Sequence, residues 1–118
     1  MGSLTSLTPL QGHVSAIHAS SLFHLFEEVK QLELGKRLAS LLSPVPGSLL
    51  FGAHVGLPEK GIRNGNKFCH SPESWKELWD GTIFPKGTVD VVAGLKQFEG
   101  PGYANVTNYL MWYTVTRR

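Results

Sequence analysis

Ser48-Leu49-Leu50-Phe51-Gly52-Ala53-His54 is a mostly apolar run of strand length with no alternation of polar and apolar positions. A strand buried on both faces reads this way, and such strands usually lie parallel to a neighbour. Just before it, Pro44-Val45-Pro46-Gly47 stops whatever precedes, because proline removes a backbone donor and restricts the residue ahead of it. What precedes is a clean helical wheel from Glu27 to Ser43. Leu32, Leu34, Leu38, Ala39, Leu41 and Leu42 share one broad face, and Lys30, Glu33, Lys36, Arg37 and Ser40 share the other. Gly35 falls on the apolar side, where its poor helix propensity costs about 1 kcal/mol and close packing against a strand would offset that cost. Further back, Val14-Ser15-Ala16-Ile17-His18-Ala19 is a short β-prone run, and Ser20-Ser21 can cap the turn beyond it. Strand, helix and strand make a βαβ unit, whose crossover is right-handed in nearly all proteins.

Working forward, Val55 to His70 is rich in Gly, Asn and Lys and has neither strand nor helix period, so it reads as a long loop. Ser71-Pro72-Glu73 opens a helix: serine caps the free amides, proline has its φ preset, and glutamate favours the positive end of the dipole. Trp75, Leu78 and Trp79 form its buried stripe and Gly81 ends it. Val89, Val91, Ala93 and Leu95 then alternate with Thr88, Asp90, Val92, Gly94 and Lys96, and Asn108 to Thr116 is a second run dense in aromatic and β-branched residues. Glu99-Gly100-Pro101-Gly102 breaks the chain between them, which makes an antiparallel pair the economical reading. The fold class is α/β, in the order β-α-β-α-β-β, with two parallel strands and an antiparallel C-terminal pair. Residues 1–12 read as a flexible lead-in and 13–118 as one domain.

Composition agrees. The 118 residues allow one compact domain, and 42% hydrophobic against 17% charged residues is the balance of a chain that buries a core. A net charge of +2 argues against nucleic acid or an anionic membrane as partner. A single cysteine, Cys69, excludes an internal disulfide framework. With no long apolar span and no signal-like N-terminus, the expectation is a soluble cytoplasmic chain.

Several stretches resemble fungal class I S-adenosylmethionine-dependent methyltransferases of polyketide and terpenoid secondary metabolism, specifically their C-terminal half. They are Ala16-Ile17-His18-Ala19-Ser20-Ser21-Leu22-Phe23-His24-Leu25-Phe26, Gln31-Leu32-Glu33-Leu34 with Arg37 to Pro44, Gly52 with Gly56-Leu57-Pro58-Glu59-Lys60-Gly61, and Phe68 to Trp79. The resemblance implies a partial Rossmann-like sheet made of the fourth to seventh strands of seven, so that residues 13–118 would be a truncated domain. It implies S-adenosylmethionine as the family's cofactor, a small apolar substrate, and Ala19 and Ser20 beside the cofactor's methionine portion. His24 would then serve as a base near the substrate, and His18, Phe23 and Phe68 would be substrate contacts. The glycine-rich turn after a first strand, and the acidic residue that holds the ribose, are missing from this sequence, because Gly100-Pro101-Gly102 opens no helical pattern. The chain alone is therefore expected to bind no cofactor. The strand at Val14–Ala19 would lack a neighbour, and such an edge invites a homodimer or the missing half.

Read from the residues themselves, His18, Ser20 and His24 lie at and just after the C-terminal end of the first parallel strand, the edge where α/β sheets bind ligands. His54 ends the second strand on the same edge, and the pair His24 and His54 is the best acid-base candidate. Against it stands plain packing of His24 beside Phe23 and Phe26. No metal-binding spacing occurs among His18, His24, His54, Cys69 and His70. Lys60, Arg63 and Lys67 make a locally basic loop, and Tyr109, Met111, Trp112 and Tyr113 are either a stacking surface or core. A cofactor-independent isomerase or cyclase using His24 and His54, and a non-enzymatic homodimeric binding module, stand as alternatives to methyl transfer.

Overall fold

The computed structural model describes residues 8–63, 67–98 and 108–118. Its elements are β1 (Ala16–His18), α1 (Glu28–Leu41), β2 (Leu49–Gly56), β3 (Gly61–Arg63), β4 (Lys67–Cys69), α2 (Pro72–Trp79), β5 (Val89–Phe98) and β6 (Asn108–Arg117), with short 3-10 turns at Thr8–Leu10 and Phe23–Leu25. Four strands form one mixed sheet in the order β1-β2-β6-β5. The expected parallel pair is there, with Ile17 opposite Leu50, and so is the antiparallel pair β5–β6. The last strand also pairs antiparallel with β2, so β6 joins the two halves of the sheet.

The stretch 55–70 is not a loop throughout. β2 runs on to Gly56, and β3 and β4 form a small antiparallel hairpin with Ile62 opposite Phe68. Three-residue strands hold barely one alternation, too little for a periodic signal. The pair Asn64-Gly65 between them is a hairpin sequence in its own right. β1 is likewise shorter than the β-prone run, although Val14 still bridges to Leu42 and the Ala19 N–H donates to the Phe51 carbonyl at 2.9 Å. At the lead-in, the Gly12 N–H donates to the Ser40 carbonyl.

Helix α1 lies with its leucines half-buried, while the fully buried positions are Gln31 and Gly35. Gly35 meets not a strand but the end of α2 and the turn after it. A Cβ built there falls 2.5 Å from Ile83 Cδ1 and 3.4 Å from Trp79 Cη2. Gln31 is 1% exposed, and its amide donates to the Phe26 carbonyl at 3.0 Å and the Phe68 carbonyl at 2.6 Å, tying the helix to β4 and to the segment before α1. Gln31→Leu keeps the volume but strands the Phe68 carbonyl, while the Phe26 carbonyl still accepts from the Phe68 N–H, so a loss of about 1–2 kcal/mol is expected in urea unfolding.

Both helices cover the same face of the sheet. Leu50, Val89, Met111, Tyr113 and Val115 point inward against Trp75, Trp79, Phe84, Phe23 and Leu42 in one core. The opposite face carries Phe51, Val92, Leu110 and Trp112, all at least a third exposed. There the Trp112 ring lies across Gly94, its register partner, in space that a Cβ would occupy. No helix among the described residues is long and apolar enough to cross a membrane.

Candidate functional site

The chain leaves β1 at His18 and crosses over β2 at Gly52. A Cβ on Gly52 would sit 2.0 Å from the Ala19 carbonyl oxygen, so only glycine lets the backbones approach this closely. Hydrogen bonds then fix the crossing. The Ser21 N–H donates to the Ala53 carbonyl at 2.7 Å, and the Ala53 N–H donates to Ser20 Oγ at 3.1 Å. Ser20 Oγ also lies 2.7 Å from His18 Nε2, and the Tyr113 hydroxyl donates to the Ala19 carbonyl at 2.7 Å. Burial pushes the Tyr113 phenol above its ordinary range, so it remains a donor throughout the neutral region. Ser21 takes a left-handed φ of 54°, which turns the chain away toward Phe23.

Behind this edge is an aromatic cluster. His54 is 2% exposed, with its ring 4.7 Å from Trp75, 5.4 Å from Tyr113 and 5.8 Å from Phe23. Phe23 is fully buried and meets Trp75 edge-on at 4.9 Å. His18 is exposed and stacks on Phe51 at 4.9 Å, on the face without helices. Phe68 is buried at the far side, edge-on to His70 at 4.8 Å. The three candidate substrate contacts thus occupy three different surroundings: open face, core and cavity wall. His24 belongs to the 3-10 turn Phe23–Leu25, and its side chain lies outside the described residues, as do Asn64 and Asn66 of the basic loop. Met111 and Tyr113 face the core, whereas Trp112 is half-exposed. Among the described residues, no group of three His, Cys, Asp or Glu side chains could hold a metal.

Sequence reasoning passed over His70 as a binding residue. It precedes the N-cap of α2, where Ser71 Oγ accepts from the Ser74 N–H and Ser74 Oγ accepts from the Ser71 N–H. Ser74 Oγ also bonds His70 Nδ1 at 2.9 Å, which fixes the ring, while Nε2 is buried with no partner among the described residues. The signal for it was the position itself, a histidine one residue ahead of a serine cap. Burial, and then the charge of Lys60, lower the His70 pKa from 6.5 to about 4. His70 and Ser74 line a cavity of about 260 Å³ with Lys60, Glu28, Val29 and Glu77. A neighbouring cavity of about 370 Å³ is lined by Glu27, Glu28, Val29, Ile62 and Phe68.

The depressed pKa means that the unfolded chain binds the His70 proton more readily than the folded one. The resulting stability is complete above pH 6.5 and is lost as pH falls toward about 4. Urea unfolding is expected to show a fall of about 3 kcal/mol across that window, flattened in His70→Asn.

No family model matches the chain. It is 37% identical over 87 residues to the O-methyltransferase phiE of a fungal species, covering 70% of this chain and 29% of the relative. It is 29% identical over 79 residues to the methyltransferase adrK of Penicillium roqueforti, covering 63% of this chain and 28% of the relative. It is 24% identical over 123 residues to the asnovolin E/chermesin D methyltransferase nvfJ of Aspergillus novofumigatus, covering 99% of this chain and 44% of the relative. The chain therefore spans less than half the length of these curated relatives, from 28% to 44%. Such relatives imply S-adenosylmethionine as the methyl donor of the family. The chain is a relative of fungal methyltransferases, one of them an O-methyltransferase, matched to a part of their length.

Proposed function

We propose that this chain is the substrate-side portion of an S-adenosylmethionine-dependent methyltransferase acting on small apolar metabolites, and that it transfers a methyl group only together with a cofactor-binding portion. The observation that carries this reading is the crossing at Gly52, which presents Ser20 and Ser21, both exposed, at the C-terminal edge of a parallel strand pair. Ala19 and Ser20 fit the methionine end of the cofactor in this respect: the Ala19 carbonyl is held by Tyr113, and the Ser20 hydroxyl is fixed between His18 and the Ala53 amide. Nothing in the sequence fits the adenosine end, for which a glycine-rich turn opening a helix would be needed. When bound, the cofactor would supply an electrophilic methyl group. The chain's own residues hold that edge rigid, and the proton acceptor would be His24, because His54, 2% exposed, is enclosed by Trp75, Tyr113 and Phe23 and does not reach the edge. The strand order β1-β2-β6-β5, with its parallel pair and antiparallel end, supports a partial Rossmann-like methyltransferase sheet. The open edge of β1 is assigned to a partner, either a second copy or the cofactor-binding portion.

Calorimetric titration of the chain with S-adenosylmethionine is expected to show no binding tighter than about 1 mM. Co-expression with the portion of phiE that this chain does not match is expected to restore methyl transfer from labelled cofactor to a small apolar acceptor. Micromolar binding by the chain alone would overturn its dependence on a second portion. Absence of both binding and complementation would overturn methyl transfer itself.

A further inference from the structure

The face of the sheet turned away from both helices carries a pattern of sizes. Successive residues of a strand alternate between faces, so every second row of the register lies on it. One row reads Phe51, Thr114, Val92, and the next reads Ala53, Trp112, Gly94. Large, small, large is followed by small, large, small across β2, β6 and β5. The rows outside these carry one charge each, Asp90 beside Thr116 and Lys96 beside Leu110, both on β5 and both exposed. Phe51, Val92, Leu110 and Trp112 keep 37–50% of their surface open, and exposed apolar groups grouped in this way mark a surface that meets another.

Such a pattern is complementary to itself. Half a turn about an axis that runs across the strands, between the two middle rows, sets each row over the other row of a second copy. Phe51 then stands over Ala53, Trp112 over Thr114, and Val92 over Gly94, across which the Trp112 ring lies. Each contact occurs twice, as a two-fold interface requires. The same rotation sets Asp90 over Lys96 at both corners. Arg118 takes only Oδ1 of Asp90, through two of its nitrogens, and so leaves Oδ2 to face the lysine. Stacked sheets cross at about 30°, an offset of about 5 Å at the corners that the four-carbon lysine stem spans. A two-fold axis along the strands instead lays β5 over β1 and leaves both charges without a partner, since β1 is only three residues long. The charges therefore choose between the two arrangements.

We propose that this face is the interface of a homodimer, two copies stacked sheet to sheet about a two-fold axis across the strands, with Asp90 and Lys96 of opposite copies paired at the rim. The interface is separate from the open edge of β1, and it does not depend on the methyl-transfer reading. Four strands about 4.8 Å apart and rows spanning about 23 Å hide on the order of 900 Å² between two copies, the small end for a specific contact. The dimer is accordingly weak, with a dissociation constant on the order of 10–100 µM.

Sedimentation velocity of the unmodified chain, from about 1 to about 300 µM, is expected to show monomer passing to dimer. Acrylamide quenching follows the same transition from within the face. Trp75 and Trp79 are fully buried, so the quenchable fluorescence belongs to Trp112 and should fall as the dimer forms. Lys96→Glu leaves the Asp90–Arg118 pair intact and is expected to weaken the dimer at least about tenfold, because it sets carboxylates against each other at both corners. Asp90→Lys combined with Lys96→Glu exchanges the charges and should bring the constant back to within about threefold. Val92→Lys, at a half-exposed position, should abolish the dimer and leave the circular dichroism of the monomer unchanged. A chain still monomeric at about 300 µM would overturn the proposal. So would a dimer that ignores both Lys96→Glu and Val92→Lys, which is the behaviour of pairing through β1, or a loss that the exchange of charges does not repair. Protection of Trp112 only on adding the portion of phiE that this chain does not match would give the face to that portion and overturn the proposal as well.

Discussion

Gly52→Ala is expected to lower the thermal unfolding midpoint by more than about 10 °C, corresponding to a loss of about 3 kcal/mol or more. The new Cβ would be built 2.0 Å from the carbonyl oxygen and 2.6 Å from the carbonyl carbon of Ala19. Both are backbone atoms, so no side-chain rotation relieves the clash. Ala19 can retreat only by giving up its amide bond to Phe51 and the hydrogen bond from Tyr113. The Ser20 contact with the Ala53 amide would go with them. Gly61→Ala is the control, because the nearest atom to a Cβ there is Leu57 Cδ1 at 4.0 Å, and a change of under about 0.5 kcal/mol is expected. Circular dichroism melts of the two variants beside the unmodified chain decide the matter. Equal midpoints for Gly52→Ala and the unmodified chain would show that the crossing is not held as described.

Trp75→Ala is expected to remove about 3–5 kcal/mol, a large part of the stability of a domain this small. Trp75 is fully buried, and its ring lies within 4.7–5.6 Å of the rings of His54, Tyr113, Phe23, His70 and Trp79. Truncation therefore leaves a cavity shared by α2, β2, β6 and the turn after β1, which cannot all close on it together. Trp75→Phe should cost much less. It keeps an aromatic ring in the cluster and removes an indole N–H that is buried without a partner among the described residues. Urea unfolding of both variants gives the comparison, and an alanine loss no larger than the phenylalanine loss would contradict the central place given to this ring.

The elements with a long period were legible in the sequence. The 14-residue α1 and the 10-residue β5 and β6 repeat their apolar spacing often enough to exceed local noise. The capped start of α2 was equally plain, because Ser71-Pro72 has few other uses. The β3–β4 hairpin left one sign, the pair Asn64-Gly65, which went unread because three-residue strands give no period to go with it. The placement of β6 between β2 and β5 was hidden because chain order says that two strands pair but not which of them also meets a third. At the candidate site, the edge carrying Ala19 and Ser20 followed from where β1 ends. The tight contact at Gly52 did not, since a glycine in an apolar run gives no indication of which backbone approaches it. Gln31 escaped because its partner Phe68 lies 37 residues away and helical periodicity scores such a polar residue as surface. His70 escaped for a different reason: it sits ahead of the N-cap of α2, where no period applies, although its partner Ser74 is only four residues on.

The position of β6 also sets a timetable. Synthesis runs from the N-terminus at about 5–20 residues per second, so β1, β2 and β5 emerge from the ribosome before the strand that unites them. The bond between Tyr113 and Ala19 spans 94 positions. Until Tyr113 has emerged, the Ala19 carbonyl lacks this bond, so the edge after β1 is completed only once β6 has joined the sheet and belongs to the slow steps of acquiring the native state.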